Sequence, residues 1–314
     1  MKTSKTLTKS SKTAARSRMR KPMHFGRNFN AWILMLPMIV ILYLLVWRPT
    51  IMCGVWSFFK MDGYTATSFC GFDNYRKVLT NSQFLPTLWN TVKYVIWSLA
   101  IGFLPALIIA VMLDEAVHGK QAFRILIYLP AIIPGIAAML IWYFIYFPDH
   151  TGLLNMLLMK LGLEPYGWLN DPRFSIVGIV IYMSWAGSPA AILLYFAVLQ
   201  GVPAELYEAA IIDGAGIWKR IRYITLPSLE GLLLLNVVRQ IIGVFQVLDQ
   251  PLAMTGGGPN GASTSLSFQL YQYGFNSSGK GTGQAMALGV IIFLILIIFT
   301  CFYFKLNRKI EDRY

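Results

Sequence analysis

The stretch QAMALGVIIFLILIIFTCFYF, Gln284 to Phe304, runs for twenty-one residues without a charge. About 20 apolar residues cross a bilayer as a helix, and a charge at the bilayer centre costs roughly 2.5–3.5 kcal/mol on insertion scales. This stretch therefore predicts a transmembrane helix, and the rest of the chain repeats the pattern. Working back from it, Phe174 to Val202, Ile125 to Phe147 and Tyr94 to Leu113 each reach or exceed twenty residues with no charge. Ala31 to Trp47 continues through Arg48 and Pro49 into Thr50 to Phe59 as one long first helix, with Arg48 snorkelling or facing protein. Gly231 to Leu248 is weaker, because it contains Arg239 and ends at Asp249. It spans only if those charges face a bundle interior or an aqueous path.

Composition agrees. The chain has 314 residues, 56% hydrophobic and 13% charged, with a mean hydropathy of +0.56. Soluble domains carry about a quarter charged residues. The expected fold is an all-α membrane protein of six transmembrane helices, with residues 31–308 as the transmembrane bundle, residues 1–30 as a basic arm expected to be disordered, and 309–314 as a short tail.

Six spans put both termini on one side, and the basic residues select the side. The net charge of +13 owes much to Lys2, Lys5, Lys9, Lys12, Arg16, Arg18, Arg20, Lys21 and Arg27, with no acid among them. With the N-terminus inside, eighteen Lys and Arg fall in inner segments and six in outer ones. That matches the positive-inside bias for two cytoplasmic termini. The arm then reads as a topogenic, lipid-facing tail rather than a nucleic-acid surface, with attraction to anionic lipid of about 1 kcal/mol per residue. A cleavable signal peptide is disfavoured, since the apolar run exceeds an h-region of about 7–15 residues and no small-x-small site ends it.

The outer connections are Lys60 to Leu88, Pro148 to Arg173 and Gln250 to Gly283; the inner ones are Asp114 to Arg124 and about Gly201 to Gly231. Leu153, Leu154, Leu157, Leu158 and Leu161 recur at helical spacing and predict a short interfacial helix within Gly152 to Gly162.

Several motif matches fail on context. Gly256, Gly258 and Gly261 satisfy G-x-G-x-x-G, but they follow a span instead of a strand. Gly274, Gly279 and Lys280 resemble a P-loop whose Ser/Thr position is Gly281. Asn276 and Ser278 form an N-x-S triplet better read as a turn. Cys53, Cys70 and Cys301 do not form a disulfide framework, and His24, His118 and His150 lie in three separate segments. No catalytic constellation or nucleotide site is expected, and no metal or cofactor on this chain.

One inner loop is informative. Between Val202 and Pro227 stands PAELYEAAIIDGAGIWKRIRYITLP. Pro203 suits a first helical turn, Glu205 and Glu208 favour the positive end of a helix dipole, and Ala209 and Ala210 suit a helix. Gly214 and Gly216 interrupt it, and Ile217, Ile221 and Ile224 line a second short helix with Lys219, Arg220 and Arg222 opposite, ending before Pro227. Leu206, Tyr207, Ala209, Ala210 and Ile211 offer an apolar, small surface. A groove on a partner and the protein's own membrane flank fit that spacing about equally.

Glu208-Ala209-Ala210, then Asp213-Gly214-Ala215, then Ile224-Thr225-Leu226-Pro227 resemble the loop of permease subunits of binding-protein-dependent ABC importers. The similarity extends over about Asn30 to Arg308. Gly71-Phe72-Asp73-Asn74-Tyr75 resembles an outer G-x-x-N-Y element, and Leu129-Pro130 with Pro134 resembles a third-span L-P…P element. Asp249-Gln250 with Thr255-Gly256-Gly257-Gly258-Pro259 is similar to the carbohydrate-importer permeases of the maltose-transporter first-permease type. Pro251 and Leu248 depart from that pattern, and the first outer loop is short.

The resemblance implies a coupling loop carried by Glu205, Tyr207, Glu208, Ala209, Ala210, Asp213, Gly214, Ala215 and Pro227, docking into a cytoplasmic ATPase subunit. It also implies a second permease, an ATPase dimer holding ATP and Mg, an extracytoplasmic solute-binding protein and a sugar or oligosaccharide cargo. Among the polar and aromatic residues of the spans, Trp185, Gln240, Gln246 and Asp249 are the candidates for the substrate path. For Trp142, Tyr143, Tyr182, Trp185 and Tyr195, belt anchoring or packing competes strongly, and Arg239 suits an acid of a partner permease. The alternative reading is a stand-alone secondary transporter with its own ion site.

Overall fold

The computed structural model describes residues 25–115, 119–276, 279 and 281–311. Most of the expected disordered arm, Ser278, Lys280 and the end of the tail lie outside the described residues. Two compact units divide the chain, Met1–Met52 and Cys53–Tyr314. The first contains α1 (Phe25–Leu42), with Pro37 inside it, and a π-helical turn at Tyr43–Trp47. The helical run continues as α2 (Arg48–Trp56).

The second unit continues with β1 (Phe59–Asp62) and β2 (Thr65–Phe69), then α3 (Asp73–Leu79) and α4 (Phe84–Trp97). Then come α5 (Leu104–Glu115), α6 (Lys120–Ile132), α7 (Gly135–Ile145) and α8 (Leu153–Lys160). The remaining helices are α9 (Ser175–Leu199), α10 (Ala204–Ile212), α11 (Ile217–Arg220), α12 (Leu226–Phe245), α13 (Asp249–Met254), α14 (Leu266–Tyr271) and α15 (Thr282–Glu311).

Among the described residues, five helical runs are long and apolar enough to cross a membrane: Trp32–Trp56, Phe84–Glu115, Ser175–Leu199, Ile217–Phe245 and Thr282–Arg308. The pair α6 and α7 meets the same test together, bent by 94°. Taken as one span, it makes six. The bend is written in the sequence, because the residue before a proline is pushed out of the α region. Ile133, just before Pro134, accordingly has ψ 128°, and Pro134 starts α7 with ψ 135°.

Other prolines are absorbed without a break. The π turns Tyr43–Trp47, Ser98–Phe103 and Ile221–Thr225 each end two residues before Pro49, Pro105 or Pro227. A helical proline lacks an N–H and its ring crowds the carbonyl four residues back; a locally wider turn relieves that contact while the helix runs on. This corrects the sequence reading of the fifth span. The second short helix does not end before Pro227; α11, the π turn and α12 form one run, Ile217–Phe245.

The all-α expectation also needs amendment, since β1 and β2 form an antiparallel hairpin where a plain connection was expected. Asp62 pairs with Thr65 across the loop Gly63-Tyr64, and Gly63 has φ +58°. Glycine at the first of the two loop positions, Gly63-Tyr64, is the hairpin signal that would have found it. The motif Gly71 to Tyr75 closes this hairpin onto the bundle. Buried Asn74 donates to the carbonyls of Ser57 and Phe59, both at 2.8 Å, and Tyr75 Oη meets Ser57 Oγ at 2.7 Å. Close approach explains Gly283 of α15, whose added Cβ would lie 2.8 Å from the Asn74 amide.

At the centre of the second unit, α9 packs on α5, α6, α4 and α12. Its buried positions include Ile176, Ile179, Val180, Ile192, Tyr195 and Phe196, spread round the helix as expected of an element enclosed by neighbours. The predicted helix within Gly152 to Gly162 is present as α8, anchored by buried Asn155. Its Oδ1 accepts from Trp168 Nε1 at 2.7 Å and from the Tyr166 N–H at 3.0 Å.

Candidate functional site

Two regions hold the sequence-selected residues, at opposite ends of the Ile217–Phe245 run. The first is the loop between α9 and α12. Pro203 precedes α10, and Glu205 occupies its first turn. The helix ends in a Schellman arrangement: Gly214 N–H donates to Ile211 O at 3.0 Å and Ala215 N–H to Ala210 O at 2.8 Å. That cap needs a left-handed residue, and Gly214 has φ +72° with no atom within 4 Å of an added Cβ. The constraint at Gly214 is conformational, with ample room for a side chain.

Ala209, Ala210, Asp213 and Ala215 thus belong to α10 and its cap. Tyr207 Oη lies 3.2 Å from Thr225 Oγ1, joining α10 to the π turn. Leu206, Tyr223 and Pro227 line a groove of about 590 Å³. Ile212 is 85% exposed, Trp218 80% and Tyr223 70%. Glu208 is exposed as well. Beside the loop, Arg220 pairs with Glu115 at 3.2 Å, tying α11 to the end of α5.

The second region begins as a cavity of about 440 Å³ among α5, α9 and α12. Gln240, Gln246 and Asp249 all line it, together with Arg239, Asn236 and Ser184. Three of the four path candidates are therefore brought together. Trp185 is not among the lining residues; half-buried, it packs on Trp142 with ring centroids 5.7 Å apart and lines an adjoining groove of about 400 Å³ with Ser184 and Ser188. Gly102 sets the width at one wall, since an added Cβ would lie 3.0 Å from Ser184 Oγ and 3.1 Å from Gln240 Nε2. Sequence reading missed Asn236 and Ser184. Their polarity within apolar runs was the available signal, and Asn236 lies one helical turn before Gln240.

Beyond the cavity, Thr255 to Pro259 is held by a dense polar lattice. Ser263 Oγ meets Thr255 Oγ1 at 2.7 Å and Gly258 O at 2.6 Å, and Thr264 Oγ1 donates to Gly257 O at 3.2 Å. From α4, Asn90 donates to Gly261 O at 2.9 Å and Tyr94 to Ser263 O at 2.9 Å. Gly257 has φ +83°, and an added Cβ would lie 2.4 Å from the Phe268 ring. The glycines that mimic a dinucleotide fingerprint follow α13 and serve this fold-back.

Comparisons with known proteins agree with this architecture. Residues 12–312 match the family model described as "Binding-protein-dependent transport system inner membrane component". The trehalose/maltose transport system permease protein MalF of Thermococcus litoralis is 32% identical over 238 residues, covering 75% of this chain and 80% of that one. The sulfoquinovosyl glycerol transport system permease protein SmoG of Agrobacterium fabrum is 31% identical, covering 80% and 82%. A bacterial ABC transporter involved in import of the acidic polysaccharide alginate shares the fold, with a TM-score of 0.80 at 22% identity, covering 90% of this chain and 96% of that chain. With five helical runs, or six counting the bent pair, apolar enough to cross a membrane among the described residues, and the family match over almost its whole length, this chain belongs to the inner membrane components of binding-protein-dependent transport systems.

Proposed function

We propose that the chain is a permease subunit of an ATP-driven importer of a sugar or oligosaccharide. It pairs with a second permease to form the path, receives cargo from an extracytoplasmic binding protein and is driven by an ATPase dimer. Both termini and α10 face the cytoplasm in this reading. The observation that carries it is α10 itself: a capped helix between two spans with Ile212, Trp218 and Tyr223 exposed around it. Exposed aromatic and aliphatic anchors on a short rigid element suit insertion into a groove on another protein.

ATP and Mg act on the partner in this scheme. Closure of the ATPase pair moves α10, and the continuous Ile217–Phe245 run carries that motion to Arg239, Gln240 and the cavity. The sugar cargo is supported by named relatives such as MalF and SmoG and by the neutral amides of Asn236, Gln240 and Gln246, which match hydroxyl groups as donors and acceptors.

Purification of the tagged chain from its native membrane tests the reading. A second permease and an ATPase should co-purify, and Glu208→Lys should leave the chain in the membrane while removing cargo-stimulated ATP hydrolysis. Full stimulated hydrolysis in Glu208→Lys would remove the loop from the coupling role.

A further inference from the structure

A second polar cavity, of about 430 Å³, lies between the start of α4, the Gly256–Gly261 backbone and α14 with the π turn after it. Asn81, Gln83, Asn260, Gln269, Gln272 and Tyr273 line it, and every lining residue is uncharged. It lies on the face opposite α10, because the Ile217–Phe245 run separates the two connections. Its volume falls within the range of about 300–1,000 Å³ usual for small-molecule sites.

Behind one wall, closed off from water, lies an unsatisfied group. Gln269 is 4% exposed, and its amide oxygen is buried without a hydrogen-bond partner. Its Nε2 donates to Tyr273 Oη at 3.2 Å, which also accepts from Asn81 Nδ2 at 2.9 Å. Turning the Gln269 amide over would let Tyr273 donate to the oxygen but would orphan the nitrogen. In either orientation one amide atom of Gln269 lacks a partner, and a buried orphan of that kind costs about 1–3 kcal/mol. Opposite it, Gly256 and Gly261 have φ +59° and +77° and present backbone with no side chain to hold a ligand away.

We infer that this pocket is a separate outer site for one neutral, polyhydroxylated unit, such as a pentose or hexose residue. The reasoning is chemical. An ion entering a cavity with no counter-charge would lose hydration without compensation. An apolar ligand would strip water from the exposed Gln83 and Asn260 amides without replacing its hydrogen bonds. Hydroxyl groups, each able to donate and accept, suit a wall of carboxamides, a phenol and glycine backbone. The central cavity differs in holding Arg239 and Asp249. The choice of sugar rests on the importer reading above; the existence of a neutral hydrogen-bonding site rests on the pocket alone.

The test is hydrogen exchange on the assembled transporter in lipid nanodiscs, with a panel of neutral pentose and hexose mono- and disaccharides and with glucuronate. Neutral sugars should slow exchange over residues 256–273. Gln83→Leu and Asn260→Gly should each weaken that protection roughly 3- to 10-fold in apparent affinity, the effect of one hydrogen bond. Both variants should fold, since the Gln83 side chain does not cap α4 and Asn260 has φ +50°, which glycine adopts. Protection confined to residues 236–250, equal protection by glucuronate, or protection undiminished in both variants would each overturn the proposal. So would no protection at all; uptake measured on the same preparation then shows whether the importer reading fails with it.

Discussion

The two connections flanking the Ile217–Phe245 run satisfy their groups in opposite ways. On one side, α10 and its cap meet their backbone needs locally and leave Ile212, Trp218 and Tyr223 exposed. On the other, residues 255–266 bury Ser263, Thr264 and Ser265 and are clamped by Asn90, Thr91 and Tyr94 of α4. One is complete as a fold and incomplete as a surface; the other is knitted into the bundle. Substitutions in the first should impair coupling with little effect on stability, and in the second the reverse.

The largest expected effect is at the clamp. Asn90→Leu would leave the buried Thr264 carbonyl without its donor and the Gly261 carbonyl with only the Thr264 N–H, and an orphaned buried group costs about 1–3 kcal/mol. Thermal unfolding in detergent should show a loss of about 1–3 kcal/mol; an unchanged midpoint would show that the clamp is not holding the segment. At the loop, Gly214→Val places a branched residue at φ +72°, a cost of about 1–2 kcal/mol confined to the cap. Coupled hydrolysis should fall at least about tenfold with the global midpoint nearly unmoved. A large fall in the midpoint would erase the contrast between the two connections.

Much of this was legible in the sequence, because bilayer physics leaves a strong trace. Uncharged runs of twenty residues locate spans, and Pro134 marks the break between α6 and α7. Other features depend on three-dimensional accommodation. Pro49, Pro105 and Pro227 look alike as letters to Pro134, yet a π turn absorbs each of them. Gln240, Gln246 and Asp249 stand out by their polarity within apolar runs and share one cavity, whereas Trp185, of similar amphipathic character, is half-buried beside Trp142 and lines an adjoining groove. The cavity's Ser184 and the outer pocket's Asn81 and Gln83 come from separate helices, and chain order does not reveal such meetings.

Smaller effects sharpen the comparison. Gln246→Ala, at the cavity between the two connections, should shift the uptake KM by roughly 3- to 10-fold, one hydrogen bond's worth, with ATPase assembly unchanged. Wild-type uptake kinetics would remove Gln246 from the path. Smallest is an effect at an exposed pair in the connection before α9, where Tyr166 Oη donates to Asp171 and holds its carboxyl below the usual range. A depressed carboxylate adds stability above its unfolded pKa of about 3.9 and loses it as pH falls through the folded value. The midpoint of wild type should therefore slightly exceed that of Tyr166→Phe at pH 7 and converge with it below about pH 4. A difference that grows on acidification would reverse the assignment.

The central claim, that this chain supplies a path and a docking loop while the driving force resides on another chain, is tested most directly by reconstitution into liposomes. Together with the second permease, the ATPase and the binding protein, it should take up sugar when ATP is supplied on the ATPase side. Alone, under a proton or sodium gradient, it should take up none. Gradient-driven uptake by the chain alone would contradict the account and make it a secondary transporter.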